Sequence, residues 1–321
     1  MYRIGIDLGG TNIAAGIVNE KYEILAQDST PTKAGRPGEE IVADMATLCK
    51  SLCEKAGIPE AEIESLGIAS PGVVDDNKGT VIAAYNLGFF NFPILPLLKE
   101  KLNIPTMHIA NDANAAAWGE AIAGAGKGSA SSIMVTLGTG VGGGIILNNK
   151  LLTGFNEGAG ELGHMVIEAG GRPCTCGRIG CWEAYSSATG LIKMTNEKLE
   201  ECAKAGRKTL MADMVAERGK VTGRTAFDAQ RKGDEAANEV VAEYVSYLAC
   251  GITNLINIFQ PEVISIGGGI SNEGQYLIDL ITPAIRKESF GSGRLPATEL
   301  RIAQLRNNAG IVGAALLGVG Q

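Results

Sequence analysis

Apolar and polar positions follow a strand pattern early in the chain and a helical one later. Residues 4–18 form an apolar run broken only at Gly9-Gly10-Thr11, the pattern of two strands joined by a tight glycine turn. The same design returns over residues 133–147, broken at Gly138-Thr139-Gly140 and closed by the turn residues Asn148-Asn149-Lys150. Asp7 and Thr136 hold matching places 129 residues apart, so the two hairpins read as a weak internal repeat, each opening one of two related domains. Between them the pattern predicts a helix over 38–56, a strand at 66–69 running into Val73-Val74, and a proline-rich connector at 92–96. A short strand at 106–109 then ends at Asn111-Asp112, and a helix of small residues covers 114–123. Residues 191–258 are mostly helical, with Val241, Leu248, Ile252 and Leu255 on one buried face. A strand at 262–266 ends in Gly267-Gly268-Gly269, a helix covers 276–286, and the alanine-rich tail 310–318 reads as a helix that packs.

Composition sharpens this picture. A chain of 321 residues has length for about two domains, and 45% hydrophobic with 20% charged residues excludes a disordered chain. Glycine is in excess, with 44 residues or about 14% against a usual ~7%; without a repeat period these glycines must serve turns and close backbone approaches. A net charge of −7 with no run of Lys and Arg speaks against a nucleic-acid partner. No apolar run approaches the ~18 residues a membrane span needs. Asp7 interrupts the amino terminus before any stretch of signal-peptide length, so a cytoplasmic protein is expected. The seven cysteines cannot all pair with one another, which favours reduced thiols or metal ligation over a disulfide framework.

Both glycine turns expose successive backbone N–H groups beside a hydroxyl residue, a nest suited to phosphate oxygens; a plain tight hairpin is the alternative for either one. Gly138, Gly140 and Gly143 match a dinucleotide-binding spacing, but a strand rather than a helix follows, so NAD is rejected. A Walker A lysine is absent as well. Asp7 ends a buried strand, where a carboxylate needs a cation or hydrogen bonds; magnesium carried by phosphates would supply the first, and acceptance of the turn's own N–H groups is the alternative. Asn111-Asp112 sits at a strand-to-helix junction, where either residue is a natural N-cap, yet where open α/β sheets also place their sites. From there Asp112 could take the proton of an attacking alcohol. His164 with Cys174, Cys176 and Cys181 has the make-up of a closed tetrahedral zinc site. Cys49, Cys53, Cys202 and Cys250 fall in helical patterns and read as core. Glu157, Glu161 and Glu183 crowd the same loop and would suit the hydroxyls of a sugar, solvated loop charges being the alternative.

Asp7-Leu8-Gly9-Gly10-Thr11, Asn111-Asp112, Gly138-Thr139-Gly140, Glu161-Leu162-Gly163-His164 and the segment from Cys174 to Glu183 occur here in the order found in ROK family sugar kinases, and the chain resembles that family from end to end. The resemblance implies an α/β protein of actin-like ATPase (ribonuclease-H-like) fold, two domains with a cleft between them, and phosphoryl transfer from ATP to the 6-hydroxyl of a sugar. It implies Asp112 as catalytic base and Gly72, Asn111, Asp112, Glu161, His164 and Glu183 as sugar contacts. Asp7 matches the position near Mg2+. Gly9, Gly10, Thr11, Asn12, Thr136, Gly138, Thr139 and Gly140 match the phosphate turns, and Gly268-Gly269 the adenosine side. The expected division is 1–113 with 304–321 as a small domain closed by the C-terminal helix, and 114–303 as a large domain with the zinc loop and the adenosine side. Homodimers are common in the family, and glucose is the leading substrate. Phe89 stands where many of its glucokinases carry tryptophan, a departure that bears on the sugar's identity.

Fructose, mannose or N-acetylmannosamine as substrate would share every motif. A sugar-responsive repressor of the family would need a helix-turn-helix ahead of the first hairpin, where three residues precede Ile4. A non-catalytic zinc-stabilised binding protein would leave Asp112 without a purpose. The absence of a basic channel favours ATP over polyphosphate. Loss of the structural zinc is expected to weaken sugar binding and stability more than ATP affinity.

Overall fold

The computed structural model describes residues 1–319, so 320 and 321 of the expected stretch 304–321 lie outside the described residues. The first hairpin forms as predicted: β1 (Tyr2–Leu8) and β2 (Asn12–Asn19) pair antiparallel with Leu8 opposite Ile13, and β3 (Ile24–Pro31) continues the meander. After α1 (Gly38–Ala56), β4 (Ile63–Ser70) returns parallel to β1. A small antiparallel sheet of β5 (Val73–Asp75), β6 (Thr80–Ala84) and β7 (Phe89–Phe92) follows. The expected connector instead turns into α2 (Ile94–Lys99). Pro96 falls in the first turn of that helix, where its missing N–H would have had no partner. Next, β8 (Thr106–Asn111) pairs parallel to β4 and leads directly into α3 (Asp112–Ala123).

The second hairpin is β9 (Ser132–Leu137) and β10 (Val141–Leu147), extended by β11 (Lys150–Leu151). A short α4 (Glu183–Ser186) precedes the helical stretch expected over 191–258, which resolves into α5 (Ala188–Lys204), α6 (Leu210–Arg218), α7 (Thr225–Gln230) and α8 (Glu235–Phe259). Then come β12 (Val263–Gly267), α9 (Gln275–Glu288), β13 (Glu299–Ile302) parallel to β12, and α10 (Ala309–Ala315). The first sheet has the order β3-β2-β1-β4-β8 and the second β11-β10-β9-β12-β13. Both run third, second, first, fourth, fifth, so the internal repeat read from two glycine turns extends to whole sheets.

Packing divides the chain into two compact units. One contains residues 1–134, 144–160 and the chain from Ala303 on; the other contains 135–143 and 161–302. The sequence reading placed 114–123 in the second domain, whereas α3 belongs to the first unit. The reason is its partner α10: a Cβ on Gly313 would overlap the Ala115 carbonyl, and Trp118 Nε1 donates to the Leu316 carbonyl at 2.8 Å.

The first sheet explains part of the glycine excess. On one face Ile4, Ile6, Leu8 and Ile13 pack against Ile41, Met45 and Leu52 of α1. On the other, Gly5, Gly16 and Gly67 lie side by side in register across three strands. A Cβ on Gly5 or Gly67 would overlap the carbonyls of Ile311 and Ala314, so α10 lies backbone-to-backbone on this row. No helix of the described residues is long and apolar enough to cross a membrane.

Candidate functional site

In the first unit, Asp7 lies on the glycine face of β1, between Ala14 of β2 and Ala69 of β4, beside Gly310 at the start of α10. Its carboxylate accepts no hydrogen bond among the described residues: the turn satisfies itself, with the Gly9 N–H donating to the Asn12 carbonyl at 2.9 Å. The reading of Asp7 as a mere turn acceptor therefore fails. Burial, and then the nearby Asp112 charge, raise its carboxyl from 3.8 to about 6. A residue with no sequence signal fixes the turn itself. Buried Thr32 donates its hydroxyl to the Gly9 carbonyl at 2.6 Å, and its N–H to the Thr11 carbonyl at 2.8 Å. Thr11 and Asn12 remain exposed at the tip.

Asn111 is the N-cap of α3, its Oδ1 accepting from Ala113 N at 2.9 Å and Asn114 N at 3.2 Å. Its Nδ2 donates to the Gly72 carbonyl at 3.0 Å and also supports the neighbouring Asp112 carboxylate. Gly72 has φ +83°, and a side chain there would overlap the Ala83 carbonyl, so this loop admits only glycine. Asp112 is the first residue of α3 rather than its cap. One carboxylate oxygen accepts from Ala113 N at 2.8 Å. Solvent reaches the side chain, but the protein packed around it raises its carboxyl, against hydrogen bonds from Ala113 and Asn111 that lower it. Asn111 and buried Asn114 line a cavity of about 330 Å³ that also meets Glu157. Glu157 thus groups with this unit, not with Glu161 and Glu183 as the loop reading had it. Phe89 is buried and stacks on Phe92 at 4.3 Å, which makes it a core residue of the small sheet.

In the second unit, the Gly138-Thr139-Gly140 turn is one residue tighter than the first: the Gly138 N–H reaches the Gly140 carbonyl at 3.0 Å. The space beside Gly138 is open, Thr139 is exposed and Thr136 is half-buried on β9. Gly268, at φ +80°, crosses closely over Leu137, bringing the end of β12 to the base of this turn, and Gly269 faces open space. Glu183 starts α4 and accepts the Val141 N–H at 3.0 Å on one oxygen; Thr175 Oγ1 at 3.4 Å and Cys174 Sγ at 3.7 Å reach the other. Glu161 is exposed, and its carboxylate makes no hydrogen bond among the described residues.

The ligand atoms of His164, Cys174, Cys176 and Cys181 all lie within 4.8 Å of one another. His164 Nδ1 is 3.8 Å from Cys174 Sγ, and the sulfurs of Cys176 and Cys181 are 3.7 Å apart. A tetrahedral zinc with Zn–S bonds of about 2.3 Å spaces its sulfurs about 3.8 Å apart, so the four residues fit that ion. Without a cation, burial and the Cys176 and Cys174 thiols push Cys181 up to about 12, and a bound cation, which favours the thiolate, would lower it. Since Nδ1 faces the cysteines, Nε2 of His164 is left for another partner. Cys49, Cys53 and Cys202 are buried in α1 and α5, and Cys250 is half-buried in α8.

Comparison with known proteins identifies relatives along nearly the whole chain. A glucokinase of Halalkalibacterium halodurans is 35% identical over 98% of this chain and 94% of its own length. An N-acetylmannosamine kinase of Shigella boydii serotype 18 is 31% identical over 100% of this chain and 99% of its own. The crystal structure of a ROK family glucokinase from Streptomyces griseus in complex with glucose and AMPPNP superposes with a TM-score of 0.78, at 34% identity and 99% coverage of both chains. The repeated sheets are those of the two-domain actin-like ATPase fold that such kinases share. The ROK family model matches residues 3–320, and the chain belongs to the ROK family.

Proposed function

We propose that this protein is an ATP-dependent hexose kinase that phosphorylates glucose at its 6-hydroxyl. The observation that carries the reading is Asp112: an accessible carboxylate at a strand-to-helix junction, whose surroundings raise its carboxyl above the usual value, the direction that favours a general base. Its carboxylate takes the proton of the sugar hydroxyl. The hydroxyl oxygen bonds to the γ-phosphorus as the bond to the bridging oxygen breaks, and ADP leaves with that electron pair.

The turns at Gly9–Asn12 and Gly138–Gly140, with Thr136, offer N–H and O–H donors to the phosphates, and Gly268-Gly269 serve the adenosine side. Asp7, a carboxylate without a protein partner, would hold Mg2+, which neutralises phosphate charge when bound. Glu161 and Glu183 would accept sugar hydroxyls and His164 Nε2 would donate to one, while Asn111 and the Gly72 backbone are the sugar contacts that the first unit offers. His164, Cys174, Cys176 and Cys181 would hold zinc in a closed shell with no open position, so its part is to shape the loop between Glu161 and Glu183.

Glucose follows from the glucokinase relatives, ATP from the nucleotide analogue bound by the S. griseus enzyme. A cytoplasmic homodimer goes with the same reading. The test is ATP-dependent turnover over glucose, mannose, fructose and N-acetylmannosamine. The highest kcat/KM is expected for glucose, and a clear preference for N-acetylmannosamine would reassign the substrate.

A further inference from the structure

The stretch from Glu183 to Thr189, which starts two residues after the zinc-ligand position Cys181, grips the second glycine turn at three points. Ala188 N donates to the Gly138 carbonyl at 2.8 Å, Thr189 Oγ1 to the Thr139 carbonyl at 2.7 Å, and Val141 N to Glu183 Oε2 at 3.0 Å. Gly140 records how close the last contact is. Its φ is outside the left-handed region, so its backbone would accept alanine. A Cβ there would nevertheless overlap the Glu183 carboxylate, and only Glu183 atoms stand in its way. The other Glu183 oxygen faces Thr175 and the ligand Cys174. One carboxylate therefore ties the Cys174–Cys181 loop to the turn.

We infer that Glu183 is a positioning residue for the Gly138–Val141 turn, through which the zinc loop sets the geometry of nucleotide binding as well as that of the sugar. The inference rests on reading this turn as a phosphate site. It departs from the sequence-based expectation that zinc loss would leave ATP affinity less affected, because a loop that relaxes without its ion releases the acceptor of the Val141 N–H.

The experiment measures, by calorimetry without sugar, the Kd of a non-hydrolysable ATP analogue with magnesium on the full chain, with bound zinc quantified for each variant. Glu183→Ala is expected to raise Kd about tenfold, the scale of one lost charge-assisted hydrogen bond. Glu183→Gln keeps an oxygen for Val141 and should stay within about threefold. Gly140→Ala alone should raise Kd about tenfold, yet add little in the Glu183→Ala background, where the space has been vacated. If Glu183→Ala does not fold, Glu183→Asp, which withdraws the carboxylate by one carbon, replaces it in the cycle. Equal cost of Gly140→Ala in both backgrounds, or an unchanged Kd in Glu183→Ala, overturns the inference. Absence of analogue binding by the unmodified protein would instead overturn the phosphate-site reading beneath it.

Discussion

Replacing Asp7 by Asn should stabilise the fold while it removes activity, and the gain should grow with pH. Folding raises the Asp7 carboxyl from 3.8 to about 6, first by burial and then by the Asp112 charge. A carboxyl raised in this way is more easily protonated folded than unfolded, so its ionisation works against the native state. That penalty is absent below about pH 3.8, grows as pH rises, and is complete above about pH 6. At about 1.4 kcal/mol per pKa unit the full penalty is at most about 3 kcal/mol, of which about 1 is already present near pH 4.5. The advantage of Asp7→Asn should therefore rise by about 2 kcal/mol between about pH 4.5 and 7.5, reduced toward about 1 by partial solvent access. Urea denaturation of both proteins at the two pH values, free of magnesium and nucleotide, measures it as the shift in midpoint times the slope. An advantage that is equal at both pH values, or that shrinks as pH rises, would refute the reasoning. A destabilised substrate-binding carboxylate is the expected signature of a site built for a cation that arrives with its ligand.

Three further outcomes follow from the same geometry. Asp112→Asn keeps the Ala113 hydrogen bond but loses the base, so glucose binding should persist while kcat falls by about 10²–10⁴-fold; a change of only a few-fold would return Asp112 to a purely structural place at the helix start. Elemental analysis of undialysed protein should find one zinc per chain, lost in Cys176→Ala together with thermal stability, and well under one equivalent in the parent would contradict the zinc assignment. Gly67→Ala drives a methyl into the Ala314 carbonyl and should destabilise the fold by about 2–3 kcal/mol, read by the same urea titration; a loss below about 0.5 would show that α10 can lift off its glycine row.

The parts of the molecule legible in the sequence were those whose chemistry is local. Both hairpins announce themselves through alternation and glycine, the zinc-type cluster through spacing, and Asn111-Asp112 through its place between a strand and a helix. What escaped depends on partners distant in the chain. Thr32 has no motif, yet it pins a turn 23 residues earlier. The Gly5, Gly16 and Gly67 row becomes visible only when three strands align under α10. Proline at 93 and 96 read as a break, but the first turn of a helix tolerates it, so α2 forms there. Glu183 was read as a sugar contact from its neighbours in sequence, and its hold on Val141, 42 residues earlier, had no local sign.

The central claim is transfer of the γ-phosphoryl group of ATP to a sugar hydroxyl, and phosphorus NMR of the protein with ATP, magnesium and glucose tests it most directly. The account expects a sugar phosphate-ester resonance at the 6-position growing in step with ADP, absent when Asp112→Asn replaces the parent. ATP conversion to free phosphate without a sugar ester, or no conversion at all by zinc-replete protein, would contradict it.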